Sequence, residues 1–184
     1  ARVDEKGKVE YTEDVRREKR LDIVIGLPAS GKSSAVVDKI STKYHSRVLD
    51  NDIIKTMIPE YNNGWGASVV HKESQEIMES ISVISRGRDE NLVMPKAGGD
   101  VGMIRKAVIT AKRAGYQVYL HYVELSREKA TGRMLHRFLH TGRFLAPELI
   151  DKYDNPEIGN LVLKTYETIK EDGWIDGYSR WNND

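Results

Sequence analysis

Eight consecutive residues carry the clearest chemistry in this chain: Gly26-Leu27-Pro28-Ala29-Ser30-Gly31-Lys32-Ser33 satisfies the pattern G-x-x-x-x-G-K-[ST] in full. Such a segment, set between a strand and a helix, wraps backbone N–H groups and a helix N-terminus around phosphate. Gly26 and Gly31 permit backbone that a Cβ would block, and Pro28, Ala29, Ser30 and Ser34 complete the cradle. Lys32 is expected to reach the β and γ phosphates of a nucleotide, and the Ser33 hydroxyl to ligate Mg²⁺. A guanine-reading N-K-x-D is absent, and the only D-x-x-G, at Asp4 to Gly7, precedes the loop, so a regulatory GTPase is disfavoured.

A small kinase needs a carboxylate beside the loop and cations to stabilise the transferred group. Asp50-Asn51-Asp52 follows a short strand-like run (RVL), at the edge of the sheet where α/β proteins keep their active sites. Asp52 is read as the base toward the acceptor hydroxyl, with capping of a helix at Ile53 as its plainer role, and Asp50 as a Mg²⁺-side or structural group. Residues 50 and 52 would share a face if the strand continued through them. Arg133 and Arg137 recur at i, i+4 on a helix face and Arg143 follows Thr141-Gly142, the form of a short arginine-bearing lid. Arg137 and Arg143 are the stronger candidates for phosphate contact. His136 and His140 share that spacing, but Arg137 stands where a zinc motif needs Glu. Glu73 opens a long helix with His71, either as an acceptor contact or as ordinary polar surface.

These groups need strands and helices in alternation, and the chain supplies them. Residues 21–25 (LDIVI), 47–49, 91–94 and 117–123 read as strands. The intervening stretches 31–43, from 52, 68–86, 101–114 and 126–140 read as helices, with a further helix around 156–171 and a last strand at 177–182. Asp100 is placed to cap the helix that follows it. Alternation of this kind predicts an α/β fold: three layers, a mostly parallel sheet with helices on both faces. Residues 1–20 mix both charge signs with few large apolar groups, so they read as a charged lead-in, helical near Asp14, to a domain at 21–184.

Composition narrows the setting. With 29 Lys+Arg against 28 Asp+Glu, no overall field draws the protein to nucleic acid or anionic membrane. The absence of cysteine removes disulfides and thiolate catalysis, and with no apolar run near the roughly 20 residues that span a bilayer, the cytoplasm is the expected location. The chain begins with Ala1, as an excised piece of a longer protein would.

The segments GLPASGKSS, LDND at 49–52, NLV at 91–93, AGYQVYLHYVEL at 114–125 and the Arg137 to Arg143 stretch together resemble a zeta toxin domain, the kinase of bacterial toxin and antitoxin pairs, over about residues 21–182. The resemblance implies a P-loop kinase fold and transfer of the ATP γ-phosphate to the 3′-hydroxyl of the sugar in UDP-N-acetylglucosamine, which blocks peptidoglycan synthesis. It also implies nucleotide binding by Lys32 and Ser33, the base role for Asp52, the lid role for Arg137 and Arg143, and a cognate antitoxin as partner. One departure stands out. Where the family has an acidic residue followed by Gly-Thr, this chain reads Met94-Pro95-Lys96-Ala97-Gly98-Gly99-Asp100. Either the acceptor differs, or Lys96 grips the acceptor's diphosphate directly while Gly98 and Gly99 let backbone approach it. A kinase for another acceptor (a dinucleotide, a nucleoside or an RNA end) and a nucleotide-binding module without turnover are the alternatives.

Overall fold

A computed structural model describes residues 2–3, 9–10, 15–64, 66, 69–141 and 148–184, with the side chains of residues 2–3, 9–10, 63–64, 137–138 and 140–141 left out. The expected helical turn near Asp14 lies outside the described residues. In chain order the elements begin with a small antiparallel pair, β1 (Arg2–Val3) and β2 (Val9–Glu10), then β3 (Arg20–Gly26). A π-helical turn, Ser33–Val37, runs into α1 (Asp38–Tyr44), followed by β4 (Arg47–Val48), α2 (Asn51–Thr56), a 3₁₀ segment (Pro59–Gly64) and α3 (His71–Gly87). Next come β5 (Leu92–Lys96), α4 (Val101–Arg113), β6 (Gln117–Glu124), α5 (Arg127–Thr141) and α6 (Glu148–Asp151). The chain then passes through a hairpin of β7 (Asp154–Asn155) and β8 (Gly159–Asn160) to α7 (Leu161–Glu171) and β9 (Gly177–Asn182).

Five strands form one parallel sheet in the order β4-β5-β3-β6-β9. The phosphate-loop strand β3 is therefore central, with Ile25 beside Lys96 on β5 and Gly26 beside Val123 on β6. Its period-2 alternation sends Leu21, Ile23 and Ile25 to a larger core, shared with α4 and α7, and Val24 to a smaller one under the π-helical turn and α1. Ile23, Val24 and Ile25 are fully buried, each stabilising the fold by roughly 1.5–3 kcal/mol. β5 carries Pro95 although it is an inner strand. Leu49 N donates to the carbonyl of Val93, so Val93 faces β4, and by alternation Pro95 faces the same side where β4 has already ended. No partner strand stands there to want the missing N–H.

Helix starts follow their caps. Asp50, Asp100 and Asn160 accept from Asp52 N, Met103 N and Leu163 N. The helix around 156–171 thus begins only at Leu161, because Asn155 Oδ1 accepts from Glu157 N and Ile158 N and makes a turn of the stretch before it. Residues 16–20, grouped with the lead-in by their charge, are tied to the domain: Arg16 pairs with His45 and Asn91, and Glu18 and Arg20 donate their N–H groups to the Asn91 side chain. No helix among the described residues is long and apolar enough to cross a membrane.

Candidate active site

The loop from Gly26 to Ser33 leaves the carboxyl end of the central strand and folds as its residue types demand. A Cβ on Gly26 would stand 2.8 Å from the Val123 carbonyl of β6, so no side chain fits there. Gly31 has φ +77°, and Ala29 adopts φ +60° despite its Cβ, a conformation costing of order 1–3 kcal/mol. Ser30 is fully buried, and its N–H closes the turn onto the Leu27 carbonyl at 3.1 Å. The Lys32 ammonium curls under the loop, donating to the carbonyls of Gly26 at 2.7 Å and Leu27 at 2.8 Å. Ser33 and Ser34 open the π-helical turn, at whose start no side chain caps the N–H groups. This is the polarity an anion satisfies.

The carboxylates come from the end of β4. The strand stops at Val48, and Asn51 already begins α2, so residues 50 and 52 do not share a strand face as the alternation argument supposed. Asp50, not Asp52, is the helix cap, its Oδ1 accepting from Asp52 N at 2.9 Å. Asp52 stands in the first turn of α2, with Lys55 at 3.9 Å. Both carboxylates act on Lys32. Burial pushes its ammonium down to about 8, and the fields of Asp50 and Asp52 oppose that fall. Lys96, at the end of β5, is likewise lowered by burial and held up by Asp50. Asp50 thus lies within electrostatic reach of two half-buried lysines, an alternation of charge gathered from three strand ends.

The other candidate residues are placed unequally. Glu73 is exposed in the first turn of α3 and forms no hydrogen bond or ion pair among the described residues. Arg137 lies on α5, its side chain not described, and Arg143 falls in 142–147, outside the described residues. Arg133, the weaker candidate by sequence, stands with Nη1 3.6 Å from where a Gly31 Cβ would be. Packing requires Gly98 and Gly99 to be small: a Cβ on Gly98 would meet Ile25 at 2.6 Å, and one on Gly99 would strike the Tyr153 ring. Sequence reading missed Asn183, whose Nδ2 donates to the Ser30 carbonyl at 2.7 Å across 153 residues. Its only signal was a polar run just past a strand's carboxyl end.

A parallel five-stranded sheet, a glycine-bounded phosphate loop leaving its central strand, and carboxylates at the next strand ends define a P-loop kinase fold. The family model for zeta toxin matches residues 3–165. The chain belongs to the zeta toxin family. No curated protein sequence matches it. Among solved structures it is similar to one from the PezAT chromosomal toxin-antitoxin system of the human pathogen Streptococcus pneumoniae, with 14% identity and a TM-score of 0.73 over 93% of this chain and 71% of that one. It is also similar to AvrRxo1-ORF1:-ORF2 with ATP (18% identity, TM-score 0.68, 89% of this chain, 54% of that one). A Pnkp1/Rnl/Hen1 RNA repair complex gives 16% identity and a TM-score of 0.64 over 89% of this chain and 49% of that one. The chain spans about half the length of these last two. At such identities the likeness concerns the fold.

Proposed function

We propose that this protein is an ATP-dependent kinase of the zeta type, moving the γ-phosphate of ATP to the 3′-hydroxyl of the sugar in UDP-N-acetylglucosamine and so blocking peptidoglycan synthesis. The observation that carries the reading is the half-buried Lys32, held under the loop between the fields of Asp50 and Asp52, in a chain of this family. The acceptor hydroxyl attacks the γ-phosphorus, its proton passes to the Asp52 carboxylate, the bond from phosphorus to the β,γ-bridging oxygen breaks, and ADP leaves. Lys32 turns from the Gly26 and Leu27 carbonyls toward the phosphates and offsets charge that builds during transfer. Arg137 and Arg143 close from the lid side, and Lys96, with Glu73 of α3, holds the acceptor.

Mg²⁺ fits the donor set. Hydroxyl, carboxylate and phosphate oxygens suit this hard cation, and Ser33 and Asp50 would hold it. Among the described residues no three His, Asp or Glu side chains gather to bind a metal by themselves, so the nucleotide's own phosphates would complete the site. Bound there, the ion neutralises charge on the phosphates. A cognate antitoxin that covers the nucleotide site is the proposed partner, and the cytoplasm the proposed location. The PezAT and AvrRxo1 structures, from a toxin-antitoxin system and a two-component complex, support a protein partner.

Lys96, standing where the family has an acidic residue, favours a second reading, a kinase for another acceptor such as a dinucleotide, a nucleoside or an RNA end. Incubation with ATP·Mg²⁺ and a panel of these acceptors, followed by phosphorus NMR and mass spectrometry, separates the two. A gain of one phosphoryl group on UDP-N-acetylglucosamine is expected. Gain only on another acceptor replaces the first reading with the second, and gain on none leaves a nucleotide-binding module without turnover.

A further inference from the structure

The last residues of the chain reach back to the phosphate loop. Past β9, Asn183 N donates to the Glu124 carbonyl at 3.0 Å, extending the ladder beyond the strand's end. Its side-chain Nδ2 donates to the Ser30 carbonyl at 2.7 Å, and its own carbonyl accepts from Arg133 Nη2 of α5 at 2.9 Å. Asp184 holds the same segment to α5, with Oδ1 accepting from Ser126 N at 3.0 Å and forming an ion pair with Lys129 Nζ at 3.6 Å. Asn183 therefore joins three parts: the end of the sheet, the helix leading to the lid arginines, and the loop. It also lies beyond residues 3–165, where the family model matches.

The contact acts on one peptide plane. In a trans peptide the C=O and the following N–H point in opposite directions, and the described chain contains no cis bond. Holding the Ser30 carbonyl on Asn183 therefore aims the Gly31 N–H the other way, away from the chain's last residues. The planes on either side are tied locally, Ser30 N to the Leu27 carbonyl at 3.1 Å and the Gly31 carbonyl to Ala35 N at 2.9 Å, and Asn183 supplies the bond to the plane between them. Gly31, with φ +77° and no Cβ, can rotate at small cost, and Ala29 with φ +60° on the other side is already strained. We infer that Asn183 is a positioning residue for the nucleotide site: through Ser30 it orients a phosphate-binding amide, and through Arg133 it links that amide to the lid helix. The inference rests on the nucleotide reading above, and goes beyond it in assigning a residue outside the loop motif.

Two substitutions test it. Asn183→Leu keeps the shape and neutrality of the side chain but removes the donor, and Asn183→Ala removes both. Hydrogen exchange of the nucleotide-free protein, followed on peptides covering residues 26–34, reads the loop without requiring any ligand. ATP affinity, measured by titration calorimetry, reads the consequence. Faster exchange confined to 26–34 in both variants is expected, with ATP binding weakened roughly five- to tenfold, about the loss of one hydrogen bond. Loop exchange unchanged in Asn183→Leu would overturn the assignment, because shape and not donation would then matter. Exchange raised throughout the domain, or a variant that does not fold, would overturn it in favour of a general structural role. Failure of the parent protein to bind ATP strikes at the nucleotide reading instead, while loop exchange still decides whether Asn183 holds the loop.

Discussion

Two polar clusters lie on β3 only four residues apart, and they are built on opposite plans. Around Asp22, fully buried, every group meets a partner: Arg20 binds it through two nitrogens at 2.7 and 2.8 Å, and His121 Nε2 lies 2.8 Å away. His121 Nδ1 in turn lies 2.7 Å from Ser179 Oγ, which also accepts from Trp181 Nε1, and the Arg20 guanidinium is stacked between the rings of Tyr44 and Tyr119 at 3.6 and 3.8 Å. A Ser, a His and an Asp in line suggest a hydrolase at first sight, yet Ser179 is engaged by Trp181 and the guanidinium is closed off on both faces. Around Gly26 the balance is reversed. A strained Ala29, N–H groups without a side-chain cap at Ser33, and two lysines held below their ordinary range by burial, against the fields of Asp50 and Asp52, form a cluster rich in donors. A network that satisfies itself stabilises the fold, whereas strained backbone, uncapped donors and shifted lysines gathered at strand ends mark a candidate site.

The sharpest challenge to this contrast is Asp22→Ala. Removing one partner of a buried pair costs about 3–5 kcal/mol, so the urea midpoint is expected to fall steeply while ATP affinity, measured well below the transition, stays near the parent's. A loss of ATP affinity without loss of stability would break the division of labour. Lys32→Ala is expected to do the converse, lowering phosphoryl transfer by about 10²- to 10³-fold with little effect on the urea midpoint. Asp52→Asn, close to isosteric, is expected to cost roughly a hundredfold in turnover with ATP binding largely kept; near-parent turnover would take the base role away from Asp52.

The pH dependence of Lys32 supplies a smaller effect with a definite sign. Its ammonium, lowered from 10.5 to about 8, loses its proton in the free protein as pH rises through about 8, and anionic phosphate favours the charged form. ATP affinity is therefore expected to decline above about pH 8, by at most tenfold per unit. Stability should move the other way between about 8 and 10.5, since the unfolded chain binds more protons there. Calorimetric titrations between pH 7 and 9.5 check the first slope, and Lys32→Met should abolish it. Smallest of all, Asp50→Ala removes the α2 cap for about 1 kcal/mol, seen as a modest fall in melting temperature beside whatever it does to metal-dependent transfer.

Much of the fold is legible in local pattern. β-branched runs placed β3 and β6, Asp100 announced α4, and glycines with Lys32 and Ser33 marked the loop, because each signal is read within a few residues of where it acts. Where the reading went astray, a neighbour's side chain or a strand's end was involved. The cap of α2 is Asp50 because β4 stops at Val48, and Gly98 and Gly99 are required to be small by Ile25 and Tyr153.

The order of residues alone determined that a phosphate loop exists, that strands and helices alternate, and that lysines and aspartates are available beside one another in kind. Only the tertiary structure decided which of them meet. Asp50 and Lys96 converge on the central loop because β4, β5 and β3 are neighbours in the sheet, and Asn183 reaches Ser30 because β9 ends at the same edge. Spacing along the chain carries no trace of such meetings: electrostatic reach and hydrogen bonding act over a few ångströms of space, whatever number of residues separates the partners.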